Sequence, residues 1–194
     1  MKYLKALIAV IVLVGADQFT KWLVLNNLEL HTYHPILGNL FGLYYLENRG
    51  SAWGMFQNRQ IFFLIITVII LVLAGYIYYK LSQNVVYKPL NICLLFLSAG
   101  AIGNMIDRIF HGSTLFQGAV VDFLYIKCID FPVFNVADMY VTISGVAIIL
   151  LVFWKYRDVD FHFLFHKNDT GSKTDCLKDV SEPDSEKDKD ENHD

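Results

Sequence analysis

Cysteine is scarce in this 194-residue chain: Cys93, Cys128 and Cys176 are odd in number and share no C-x-x-C spacing, which speaks against a disulfide framework and against a cysteine zinc site. The six histidines lie in connections and tail without metal-ligand spacing, and the neighbouring His31 and His34 have no evident third ligand. No serine or cysteine nucleophile has a persuasive base beside it. Gly100-Ala101-Ile102-Gly103 falls inside an apolar run, so it is not a phosphate-binding loop. No internal repeat is evident, and neither a metal nor another cofactor is expected. Charge is missing over long distances. Ile61–Tyr79 runs for nineteen residues without one, close to the roughly 20 residues that a helix needs to cross about 30 Å of hydrocarbon.

What is abundant is apolar surface, at 55% of residues and a mean hydropathy of +0.39, gathered in long blocks rather than amphipathic periods. These blocks predict an all-α membrane protein, a four-transmembrane-helix bundle with spans at about 4–25, 61–79, 89–109 and 136–154 and outer connections at 26–60 and 110–135. Together they make one integral membrane domain over 1–167. The basic start at Lys2 and Lys5 could belong to a cleavable signal peptide, but no small-x-small site precedes Asp17 and apolar character resumes at Trp22, so a retained first span is expected. Tyr76, Tyr78, Tyr79 and Lys80 form an interfacial anchor, and Pro89 suits a first helical turn. Leu40–Leu46, after the turn signals Pro35 and Gly38-Asn39, reads as a strand of a small extracytoplasmic β element. Residues 168–194 carry ten acids and four lysines and are expected to form an acidic disordered tail. Four spans put both termini on one side. Lys2, Lys5, Lys80, Lys88, Lys155 and Arg157 there face Lys21, Arg49, Arg59, Arg108 and Lys127 opposite, a narrow excess that favours cytoplasmic termini.

Against this apolar background the polar residues stand out. Asp122 lies in Val120-Val121-Asp122-Phe123, and Asp138 follows Phe131–Ala137 at the entrance to the fourth span. A carboxylate at membrane depth is costly unless paired, hydrated or protonated, which makes both acids functional candidates. Asp138 has a structural alternative as a capping-box acid three residues after an Asn135 N-cap. Asp17 and Lys21 are spaced i, i+4 and can pair on one helix face; a snorkelling lysine beside a helix-end acid is the alternative. Asn104, Asp107 and Arg108 are related by i, i+3 and i+4 and are expected on one face, where they could equally be an ordinary polar helix end. Asn48 and Arg49 sit among small residues, Gly50, Ser51, Ala52 and Gly54, that suit close backbone approach or a simple turn.

Depth groups these residues. At about 1.5 Å per helical residue, Asp17 lies roughly 18 Å beyond Lys5 and Asn104 roughly 22 Å beyond Pro89, so both reach the level of Asp122 and Asp138. Two carboxylates within hydrogen-bonding reach share one proton near neutral pH. The ionised member can take a proton from water while the protonated one polarises a scissile carbonyl. The helix dipole makes Asp138 the more readily ionised of the two, and Asp122 the protonated one. A proton-coupled carrier would also use intramembrane acids but would need polar groups reaching both faces, and an assembly factor would use them only as caps and ion pairs.

The motifs Asp17-x-x-Thr20-Lys21, Asn48-Arg49-Gly50-x-Ala52-Trp53-Gly54, Gly103-Asn104-x-x-Asp107-Arg108, Val121-Asp122-Phe123 and Phe134-Asn135-x-Ala137-Asp138 resemble in type and order the bacterial lipoprotein signal peptidases, or signal peptidase II. The resemblance runs from about Lys5 to Trp154. It implies a multi-pass aspartyl endopeptidase of the bacterial cytoplasmic membrane, with its active site on the extracytoplasmic side. Its substrates would be prolipoproteins bearing a diacylglyceryl-modified cysteine, cut just before that cysteine. Asp122 and Asp138 match the catalytic pair. Asn48, Asn104, Arg108 and Asn135, with Gly50, Ala52, Gly54, Asp107 and Ala137, match positions that bind or shape the site, and Asp17 and Lys21 a supporting motif. The resemblance implies membrane lipid as a partner, no nucleic acid and a monomer. Ser113–Gly118 lengthens the interval from Arg108 to Asp122, and Met139 replaces a small hydroxyl residue. Tyr44, Tyr45 and Trp53 are expected to form an aromatic platform against the membrane.

Overall fold

The computed structural model describes residues 1–50 and 60–157. Ala52 and Gly54, with Ser51, Trp53 and Arg59, lie outside the described residues, as does the tail from 168 onward. Four helices follow the apolar blocks: α1 (Lys2–Asn27), α2 (Gln60–Leu81), α3 (Lys88–Phe110) and α4 (Val136–Leu150), the last continued by a π turn over Leu151–Lys155. Each of the four is long and apolar enough to cross a membrane, and their ends fall within a few residues of the expected bounds. Their outward faces expose apolar side chains such as Ile8, Ile11 and Val12 on α1 and Ile65, Ile69 and Val72 on α2. In hydrocarbon such faces cost nothing, and the helices associate through close packing and polar contacts.

Close packing is concentrated on α3. At Gly103 a Cβ would come within 2.5 Å of the Asp17 carboxylate and 3.3 Å of the Ala137 side chain, and at Gly100 it would collide with the Ala137 carbonyl. The small residues of Gly100–Gly103 therefore let α1 and α4 approach α3, as their sequence suggests, and Asp17 occupies the space that a Gly103 side chain would fill.

The β element is larger than expected. It has three antiparallel strands in the order β1 (Tyr33–Leu37), β2 (Phe41–Asn48) and β3 (Val120–Tyr125), so the second connection contributes a strand where only the first was read as strand-forming. β2 pairs with β3 through Leu46–Asp122, Glu47–Val121 and Asn48–Val120. The alternation of a strand sends Val121 and Phe123 to one face and Asp122 to the other. Val121 and Phe123 pack with Val24 and Tyr45 in a buried cluster, each such apolar burial contributing on the order of 1.5–3 kcal/mol. Tyr45 therefore anchors the sheet to α1 rather than facing the membrane, which corrects its place in the platform. Tyr44 is half-buried and rests against His31 and Tyr125.

After β3 the chain turns through a 3-10 turn at Lys127–Ile129 and a left-handed Asp130. It returns so that Phe134 exchanges backbone hydrogen bonds with Leu124 (2.8 and 3.0 Å) and accepts another from Phe123 (3.0 Å). This closed loop brings Asn135 and the start of α4 back to Asp122.

Candidate active site

Asp122 is 1% exposed, on the face of β3 opposite the buried cluster. Asn48, across the β2–β3 ladder and two residues along, lies on the same face, and its Nδ2 donates to Asp122 Oδ2 at 2.8 Å. The Gly50 N–H donates to Asn48 Oδ1 at 2.9 Å, turning the amide so that its NH₂ group meets the carboxylate. Asn135 is fully buried and caps α4: its Oδ1 accepts the Asp138 N–H at 3.0 Å, and Asp138 Oδ2 accepts the Asn135 N–H at 3.2 Å. This is the capping box read from the sequence. The oxygen being engaged, Asn135 Nδ2 donates to Asp122 Oδ1 at 2.6 Å and to Asn104 Oδ1 at 3.1 Å. Asn104, whose oxygen also accepts from Lys21 Nζ at 3.0 Å, donates through Nδ2 to Asp138 Oδ1 at 2.7 Å.

Each asparagine is thus oriented through its oxygen so that its NH₂ group serves the site, and each carboxylate oxygen of Asp122 and Asp138 receives one donor. An ionised carboxylate has about four acceptor positions, so both acids keep lone pairs for water or a shared proton. Capping and site membership coexist at Asp138. Burial, and then the charge of Asp138, push the Asp122 carboxyl up to about 7 against the opposing hydrogen bonds from Asn48 and Asn135.

Asp122 and Asp138 line one cavity of about 480 Å³ with Asn48, Gly50, Asn104 and Arg108. Pro132–Phe134 wall it on one side, and Val141 and Thr142 extend it one turn along α4. Arg108 donates to the carbonyls of Gly50 (3.4 Å) and Asn104 (3.3 Å) and lies 5.0 Å from the Phe63 ring centroid. Helical spacing does not give Asn104, Asp107 and Arg108 one task. Asn104 and Arg108 face the cavity, whereas the buried Asp107 turns to Lys21 at 2.7 Å and to the Val121 N–H at 3.3 Å. The expected Asp17–Lys21 pair forms at 2.9 Å. Ala137 has no exposed surface, and its N–H donates to Asp17 Oδ1 at 2.9 Å. Gln18, which the sequence reading passed over, places Nε2 within 3.0–3.2 Å of Asp17, Asp107 and the Gly103 carbonyl. No three metal-ligating side chains converge among the described residues.

Four helices of membrane-spanning length, with one buried and one half-buried carboxylate held by asparagines in one cavity, have the makeup of an aspartic membrane peptidase. A family model described as "Signal peptidase (SPase) II" matches residues 8–154, and the chain belongs to that family. It is similar to the lipoprotein signal peptidase of Streptococcus thermophilus, 37% identical over 155 residues covering 80% of this chain and 95% of that protein. It is also similar to that of Caldanaerobacter subterraneus subsp. tengcongensis, 39% identical over 151 residues covering 77% and 97%. Among solved structures, a bacterial membrane enzyme determined by the in meso method at 2.3 Å superposes with a TM-score of 0.69 at 29% identity, covering 81% of this chain and 92% of the other. A second, at 1.9 Å, gives 0.66 at 30% identity, covering 77% and 93%.

Proposed function

We propose that Asp122 and Asp138 are the catalytic pair with which this signal peptidase II removes the signal peptide from prolipoproteins, cutting just before a diacylglyceryl-modified cysteine. The observation that carries the reading is the convergence of two acids, the buried Asp122 from β3 and the half-buried Asp138 from the start of α4, on one asparagine-bridged cavity. Asp138, at the positive end of α4, is the ionised member and takes a proton from water. Asp122, whose carboxyl burial and the charge of Asp138 push up to about 7, polarises the scissile carbonyl as the water oxygen attacks. The tetrahedral intermediate collapses when the C–N bond breaks and the nitrogen of the modified cysteine takes up a proton from the pair. The free carboxyl group stays with the signal peptide.

Asn48, Gly50, Asn104 and Asn135 hold the acids, and Arg108, beside the Gly50 carbonyl, faces the substrate backbone. Family membership favours the peptidase over a carrier or an assembly factor. The sheet and the carboxylates lie at the end of the spans away from Lys2, Lys80 and Lys155, which supports an extracytoplasmic site in the cytoplasmic membrane, with both termini cytoplasmic. The protein is read as a monomer, with residues 1–167 as the peptidase domain. The acyl chains of the substrate would remain in lipid while its peptide bond reaches the acids.

Cleavage should therefore depend on the lipid. Incubated with a diacylglyceryl prolipoprotein and with its unlipidated form, the purified protein is expected to cut the first at the bond before the cysteine, at least about 100-fold faster than the second. Equal rates on both forms would overturn the substrate assignment.

A further inference from the structure

We infer that Lys21, with Asp17 and Asp107, is a positioning device that fixes the separation of the two acids by gripping the backbone ahead of each one. The inference rests on the reading of Asp122 and Asp138 as the catalytic pair. Ala137 immediately precedes Asp138, and its N–H donates to Asp17 Oδ1 at 2.9 Å. Val121 immediately precedes Asp122, and its N–H donates to Asp107 Oδ2 at 3.3 Å. The two grips are joined by one ammonium: Lys21 Nζ lies 2.9 Å from Asp17 and 2.7 Å from Asp107, and its third partner is Asn104 Oδ1 at 3.0 Å. All three hydrogens of the ammonium are engaged.

Both grips fall on backbone groups that need a partner. Ala137 is the second residue of α4, where an N–H has no intrahelical acceptor, and the Asn135 oxygen already serves Asp138. β3 is an edge strand. On the side away from β2 its alternate N–H groups go to Asp107 and, at Phe123, to the Phe134 carbonyl. Exposures of 0% for Asp17, 2% for Lys21 and 1% for Asp107 keep these groups off the cavity surface, so they act through Val121, Ala137 and Asn104 rather than on substrate. Gln18 ties the two carboxylates together a second time. One cation between two acids on separate elements thus fixes β3 and α4 to a common point, and a misplacement of about 1 Å at reacting groups can cost about 100-fold in rate.

The test measures kcat and KM per folded enzyme with a lipidated prolipoprotein, for Lys21→Met, Asp107→Asn and Asp107→Ala, with thermal melts on the same samples. Lys21→Met is expected to lower kcat by about 100-fold with KM changed less than about threefold. It is also expected to move the alkaline limb of the pH profile upward, because the ammonium that favours ionised Asp122 is gone. The charged or titratable groups facing one another there are Asp17 and Lys21 from α1, Asp107 and Arg108 from α3, Asp122 from β3 and Asp138 from α4; β2 presents the uncharged Asn48.

Asp107→Asn, which keeps an acceptor for Val121, should retain at least tenfold more kcat than Asp107→Ala; this comparison decides the matter if Lys21→Met does not fold. A lowered melting temperature with kcat per folded enzyme and pH profile unchanged would overturn the inference, as would equal kcat for the two Asp107 variants. Asp122→Asn and Asp138→Asn run alongside separate the two readings. If both are inactive while the Lys21 and Asp107 variants turn over normally, only the positioning role fails.

Discussion

Asp122→Asn and Asp138→Asn are each expected to lower the rate of prolipoprotein cleavage by about 1,000-fold or more, and the double variant to be scarcely slower than either one. The amide is nearly the size of the carboxyl but can neither take a proton from water nor share one with its neighbour. Because the two acids are proposed to act as a unit, removing one should remove the function of both, and the losses should not add. Substrate capture should survive, since Arg108, Phe134, Val141 and Thr142 still line the cavity. The check is single-turnover cleavage with parallel binding to lipidated substrate. Cleavage within tenfold of wild type by either single variant would remove that acid from the pair.

The second large effect is expected at Asn135, where one side chain caps α4 and bridges both acids. Asn135→Ala loses a cap worth about 1 kcal/mol and leaves the buried Asp122 short of one donor, at about 1–3 kcal/mol. Stability should fall by roughly 2–4 kcal/mol and activity by about 100-fold. Asn135→Ser separates the two roles. A serine caps a helix nearly as well as asparagine, but its short hydroxyl cannot donate to Asp122 while accepting from the Asp138 N–H. Asn135→Ser should therefore recover most of the lost melting temperature and little of the activity. Recovery of both would reduce Asn135 to a cap.

The spans were readable because uncharged runs such as Ile61–Tyr79 have few other uses. Asn135 and Asp138 were readable as a cap because three-residue spacing dictates the pairing. β3 was not, since Val120–Tyr125 is apolar on both faces apart from Asp122, and a strand buried on both sides loses the alternation that marks it. The same ambiguity hid Tyr45, whose ring fits a membrane surface or a core equally well by composition, and only its packing on Val24, Val121 and Phe123 decides. Asp107 and Arg108 are adjacent on the helix and so point about 100° apart. Which one reaches the cavity depends on where β3 crosses, and that is a tertiary fact. Gln18 gave no signal at all, since an uncharged polar residue beside an aspartate is ordinary until its three acceptors come from two helices.

The acids are proposed to work as one pair holding one proton on Asp122, and that proton can be observed directly. In isotope-edited infrared spectra of protein with labelled aspartate, subtracting the Asp122→Asn spectrum isolates the Asp122 carboxyl. A protonated band should be present at pH 5.5 and fade as pH rises through about 7, with cleavage declining over the same interval as the acid partner is lost. An Asp122 carboxyl already ionised at pH 5.5, with full activity there, would contradict the shared-proton pair.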